Sequence, residues 1–304
     1  MAGNTKTVIY AALIGNSLIA ITKFIAAMIT GSSAMLSEGI HSLVDTGNQI
    51  LLLLGLKRAK RPASEKFPFG HGKEIYFWSF VVAIMVFAVG AGISIYHGIE
   101  HLIHPRVITS PIINYVVLGL AMIFESVPLY IAFKEFKKLK GKRGYIEAIK
   151  KGKDPTIFVV LFEDSAAMLG LIVAFIGIYL ATTTGILYFD GASSIVIGLI
   201  LALTAGVLAY ETKGLLIGES ARDSVVDGIR RTVHKYRGVE KVNEVLTMHM
   251  GPEYILVNLS VEFNDEIRTE QIEDVIAKID KEIKQKFKKV KRIFIEAESW
   301  RYRR

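Results

Sequence analysis

The pattern of hydrophobic and polar positions divides the chain into two unlike stretches. Up to Gly214, apolar residues gather in runs of about 20, enough for a helix to cross a ~30 Å hydrocarbon layer. Six runs are predicted to span, at about 8–30, 34–56, 75–101, 111–133, 156–180 and 192–216. Only Gly31, Ser32 and Ser33 separate the first two, so these are antiparallel neighbours. Beyond 219 the pattern changes. Residues 223–236 and 269–287 have helical period, while 239–249, 254–264 and 290–296 alternate like strands, with a turn at Gly251-Pro252. The expected fold is an all-α six-helix transmembrane domain, residues 1–218, followed by a cytoplasmic α+β domain, residues 219–304. The order αββαβ suits a ferredoxin-like sandwich.

Composition adds exclusions. Hydrophobic residues make up 51% of the 304, close to a soluble domain, so their distribution decides the class. The long runs exclude a purely soluble enzyme, a disordered chain and a fibrous protein. Cysteine is absent, which removes disulfides, thiolate metal ligands and cysteine nucleophiles. No HExxH unit is present, and no enzymatic activity is expected.

The net charge of +8 would suit nucleic acid, but its placement argues for a bilayer. Residues 219–304 are nearly balanced, with 18 Lys+Arg against 16 Asp+Glu. The excess lies in two loops, six basic residues in 57–73 and nine in 134–153. The alternate loops hold only Arg106. Basic residues in short loops mark the cytoplasmic face, so both termini are expected there. Residues 1–7 lead straight into the first run, and no cleavable signal peptide is expected.

Ionisable side chains inside spans cost about 2.5–3.5 kcal/mol each at a helix centre and need a reason. Span two is densest, with Glu38, His41, Ser42, Asp45 and Asn48. His41 and Asp45, at i and i+4, share a helix face and can reach one cation. A His–Asp hydrogen bond locking a helix pair is the plainer alternative. In span five, Glu163 and Asp164 point about 100° apart and cannot both face one ion squarely. Lys23 is expected to be structural, Glu125 to line a pore or make a buried hydrogen bond, and His97, Glu100, His101 and His104 to sit at an interface.

The segment 31–48, ending in His-Ser-Leu-Val-Asp, resembles the second span of the cation diffusion facilitators. So do Phe69-Gly70-His71-Gly72-Lys73-Glu74 and the Asp190-Gly191 opening of span six, with Ser193, Ser194 and Gly198. The stretch Phe162-Glu163-Asp164-Ser165-Ala166-Ala167 is most similar to the zinc-transporter-nine branch of that family. The resemblance implies a homodimeric antiporter exchanging a divalent cation, zinc foremost, for protons. It implies a site of two residues from span two and two from span five, each pair at i, i+4. His41, Asp45 and Asp164 match three positions. The fourth is Val160, where zinc-selective members carry His, leaving Glu163, Asn48 or water to complete the set. An oxygen-richer set also suits manganese, iron or cobalt. The family's loop and cytoplasmic metal sites match poorly here. Phe67 stands four residues before His71, and Asn243, Asn258, Glu296 and Glu298 fall at the cytoplasmic positions, so no binuclear zinc site is expected there. His249 is expected at a surface or interface, and Lys73 is expected to pair with Glu219. Metal binding needs neutral imidazole and ionised carboxylates, so it should expel protons. A non-transporting or regulatory member that keeps the fold is the alternative.

Overall fold

The structure is a computed structural model that describes residues 2–141, 144–150, 152–153 and 155–299. Lys142, Arg143 and Lys151 of the second basic loop lie outside these residues. The chain separates into two compact units. One holds Met1–Lys57 with Phe77–Lys213, the other Arg58–Tyr76 with Gly214–Arg304.

The first unit is helical. It is built from α1 (Ala2–Thr30), α2 (Ser33–Ala59), α3 (Glu74–Ile103), α4 (Pro111–Lys140), a short α5 (Tyr145–Lys150), α6 (Pro155–Thr184) and α7 (Tyr188–Ile217). Among the described residues, four of these contain segments long and apolar enough to cross a membrane: Glu74–Ile103, Pro111–Lys138, Phe158–Thr184 and Tyr188–Ile217. The described side chains of α1 give a shorter apolar stretch, Asn16–Thr30. Helix α2 has the length of a span but interrupts its apolar run with Glu38, His41, Asp45, Asn48 and Gln49. Among the described residues, apolarity therefore marks four spans where six were expected: α2 carries the candidate chemistry, and the described side chains of α1 cover only the second half of its run.

Small residues let these helices close on one another, as expected where no hydrophobic force separates helix from lipid. A Cβ added at Gly98 would meet Ile195 and the carbonyl of Gly191, and one at Gly198 would meet Ile95 and the carbonyl of Ala91. Helices α3 and α7 thus cross backbone to backbone. Gly177 on α6 gives the same clearance to Ser193 on α7. Within α3, Val86–Ala91 winds as a π-turn, with the Gly92 amide donating to the Phe87 carbonyl. Pro128 interrupts the hydrogen-bond ladder of α4 one turn after Glu125.

The second unit contains α8 (Asp223–Val233), β1 (Val239–Gly251), β2 (Tyr254–Phe263), α9 (Thr269–Lys286) and β3 (Val290–Ala297). Its sheet has the order β1-β2-β3. The β1–β2 hairpin is antiparallel, and β2 pairs parallel with β3 after crossing through α9. The predicted αββαβ order is present as a three-stranded mixed sheet. Ile229 and Val233 from α8 and Ile279 and Ile283 from α9 cover Val257, Leu259 and Val261 of the central strand. His249 is buried at 3% exposure, its Nδ1 3.3 Å from the Gly251 carbonyl oxygen, and so does not lie at a surface, one of the two places expected for it. Its strand position turns it inward beside the hairpin turn.

The loop between α2 and α3 belongs to this unit. A Cβ at Gly72 would stand 2.3 Å from the Met250 carbonyl oxygen, so the loop backbone lies directly on the hairpin turn. Lys73 Nζ lies 3.4 Å from the carbonyl oxygens of Leu216 and Ile217 and 3.6 Å from Met248 Sδ. An ammonium against the last carbonyls of α7 complements the negative end of that helix.

Candidate functional site

The N-terminus of α2 is held by a carboxylate from another helix. Asp190, in the first turn of α7, accepts hydrogen bonds from the hydroxyls of Ser32 and Ser33 and from the backbone amides of Ser33 (2.6 Å) and Ala34 (3.4 Å). The first amides of a helix have no partner within it, and Asp190 supplies one. The Ser194 hydroxyl donates to Ser33 Oγ at 2.8 Å, and His101 Nδ1 lies 3.5 Å from Asp190. Asp190 and its serines were legible only as part of a resemblance, because a contact between residues 157 positions apart leaves no local pattern.

From this anchor, α2 presents two polar pairs at helical spacing. The first is Glu38 with Ser42. Lys23 of α1, fully buried, donates to Glu38 Oε2 at 3.1 Å and Ser42 Oγ at 2.7 Å. The second is His41 with Asp45, whose Nδ1 and Oδ1 are 3.4 Å apart. That pair makes no hydrogen bond: both ring nitrogens of His41 and Oδ1 of Asp45 are buried without a partner. The predicted plain alternative, a His–Asp lock, therefore lacks its bond.

Two contacts with α6 bracket the open pair. A Cβ at Gly170 would stand 2.3 Å from Glu38 Oε1, so a side chain there would push that carboxylate aside. Nearer the other end, Asn48 Nδ2 donates to Glu163 Oε1 at 2.7 Å. Gly170 and Glu163 are two turns apart on one face of α6. As numbers rise on α2 they fall on α6, so the helices are antiparallel along this seam, with His41 and Asp45 between its two contacts.

Asp164 lies next to Glu163, about 100° further round the helix. Its Oδ2 is buried without a hydrogen-bond partner. Glu125 of α4 is buried as well. The sequence-predicted set thus divides. His41 and Asp45 are adjacent and open, Asp164 has an open oxygen, and Asn48 and Glu163 are engaged with each other. Among the described residues, no three His, Asp or Glu side chains converge closely enough to grip an ion as they stand. Elsewhere, His97 is tied to Glu100 at 3.1 Å and His71 lies against the Phe67 ring, centroids 4.5 Å apart.

Residues 9–217 match the cation efflux transmembrane domain, and 221–300 match the cation efflux protein cytoplasmic domain. The chain is 33% identical over 271 residues to the proton-coupled zinc antiporter SLC30A9, mitochondrial, of Xenopus laevis, covering 88% of this chain and 48% of that protein. It is 30% identical to the human protein of the same name, covering 86% of this chain and 46% of the other. It thus spans about half the length of these relatives. A similar relative of matching length is the manganese efflux system protein MneP of Bacillus subtilis, at 22% identity over 96% of this chain and 95% of that one. With both domain models matched in order along most of its length, the chain belongs to the cation efflux family of integral membrane proteins.

Proposed function

We propose that the protein carries a divalent metal cation, zinc foremost, across a membrane in exchange for protons, with His41, Asp45 and Asp164 as ligands. One observation carries this reading. An imidazole with two unpartnered nitrogens and two carboxylates with unpartnered oxygens are buried inside the helical unit. Burying unpaired polar atoms is costly, and proteins keep such atoms where something else binds them. Nitrogen and carboxylate oxygen are donors that zinc accepts, and manganese, iron or cobalt tolerate the same set.

In this reading a small approach of α6 to α2 brings Asp164 to the His41–Asp45 pair and completes the grip. The Asn48–Glu163 bond acts as the hinge of that approach, and Glu163 or water supplies the remaining ligand. A site that closes and opens suits cargo, which must be released. Binding displaces protons from imidazole and carboxylates, and their return from the opposite face releases the metal. Helices α1 and α2 cross with the four apolar helices, giving six spans and both termini in the cytoplasm. The unit after residue 218 forms a ferredoxin-like cytoplasmic domain that pairs two chains into a homodimer. The names of the relatives support antiport of zinc and export of manganese as the class of activity.

The test is flux into proteoliposomes loaded with a metal-sensitive dye. Wild-type protein should take up zinc against a proton gradient and slow when the gradient is collapsed. The double variant H41A/D45A should carry none. Equal flux with and without the gradient would indicate a channel, and normal flux by the double variant would eliminate the site.

A further inference from the structure

Two side-chain pairs on α2 have the same construction, and they differ in what fills them. Glu38 and Ser42 are at i and i+4, as are His41 and Asp45. The Glu38–Ser42 pair is filled by the ammonium of Lys23, which reaches it from α1 with no exposure to solvent. The His41–Asp45 pair is open, its polar atoms unpartnered. Glu38 also keeps one oxygen, Oε1, free of any hydrogen bond, facing Gly170. The neighbouring Ser37 Oγ is buried and unpartnered as well. Without the ammonium, this place would hold the Glu38 carboxylate and the Ser42 hydroxyl, hard oxygen donors of the kind that take a cation.

We propose that Lys23 is a built-in cation that occupies the place between Glu38 and Ser42 and so confines the membrane unit to one exchangeable divalent ion. The inference rests on the reading of His41, Asp45 and Asp164 as the transport site and adds a device that sets how many ions that part of the chain holds. A covalently tethered ammonium cannot leave with the cargo. Glu38 is therefore neutralised in every state of the cycle, while the charge of the open pair is left to metal and protons.

The experiment counts zinc bound to the purified full-length protein at equilibrium, repeated with manganese. The arms are wild type, Lys23→Met, the pair-removing K23M/E38Q, and K23M combined with H41A/D45A. Lys23→Met should bind one ion per chain more than wild type, and K23M/E38Q should return to the wild-type count. The added ion should persist when K23M is placed on H41A/D45A, because it does not use those ligands. A K23M count equal to wild type overturns the proposal, as does an added ion that survives in K23M/E38Q. If H41A/D45A alone binds as much as wild type, the transport-site reading fails, and the count added by Lys23→Met still reads this one. Should K23M resist purification, its recovery must rise with zinc present during extraction, more steeply than that of wild type. Recovery indifferent to zinc overturns the proposal.

Discussion

Replacing Asp190 by Ala should loosen the helix that carries His41 and Asp45 without touching either. The substitution removes the acceptor for two hydroxyls and two amides at the start of α2. Single hydrogen bonds to a charged group contribute about 1.5–3 kcal/mol each, but four on one carboxylate share a single desolvation cost and do not add. Leaving buried hydroxyl donors unsatisfied costs ~1–3 kcal/mol, and an unmade helix cap adds about 0.5–2. The expected loss is ~4 kcal/mol, which for a unit of this size lowers the melting temperature by ~10 °C. Asp190→Asn keeps the shape and one acceptor and should lose about half as much. Tryptophan fluorescence melts of the full chain in detergent read both variants, and zinc affinity should weaken in the same order as α2 loses its fixed position. A melt of Asp190→Ala indistinguishable from wild type would show that the anchor does not hold α2.

Other consequences follow from separate contacts. Gly72→Ala sets a methyl group against the backbone of Met250, where neither side can move aside. It should cost about 1–3 kcal/mol and show as faster proteolysis of the loop at 60–73. Burial and the adjacent Glu282 carboxylate push the Tyr236 phenol up to about 12. Because the folded state holds that proton more tightly than the unfolded chain, the contribution is complete below pH ~10 and lost as pH rises through about 12. The alkaline part of the stability curve, measured by denaturant melts, should flatten in Tyr236→Phe. Val160→His restores the nitrogen that zinc-selective relatives are expected to carry, and competition flux should then favour zinc over manganese more strongly than in wild type. An unchanged preference would remove Val160 from the account.

The parts of the molecule that repeat locally were legible in its sequence. The strand and helix periods of the second unit predicted its elements to within about three residues at each end, because each faces one core. The (i, i+4) spacing of His41 and Asp45 likewise put them on one helix face without knowledge of any other helix. What the sequence could not convey was pairing between distant segments. Asn48 with Glu163, Lys23 with Glu38, and Asp190 with Ser33 each depend on how helices cross, and a membrane helix gives almost no periodic signal about which side meets a neighbour. The same density of polar groups that revealed the candidate site also removed α2 from the set of plainly apolar spans. Small residues such as Gly170 and Gly177 were silent in the sequence for a related reason: their role lies in what approaches them.

The most direct measurement is anomalous scattering from crystals of the full-length protein soaked in zinc, with data collected on both sides of the zinc absorption edge. The account expects a peak bounded by His41, Asp45 and Asp164, with Asp164 drawn toward the other two. Zinc bound elsewhere in the crystal, with no anomalous density among those three side chains and no change in their spacing, would contradict it.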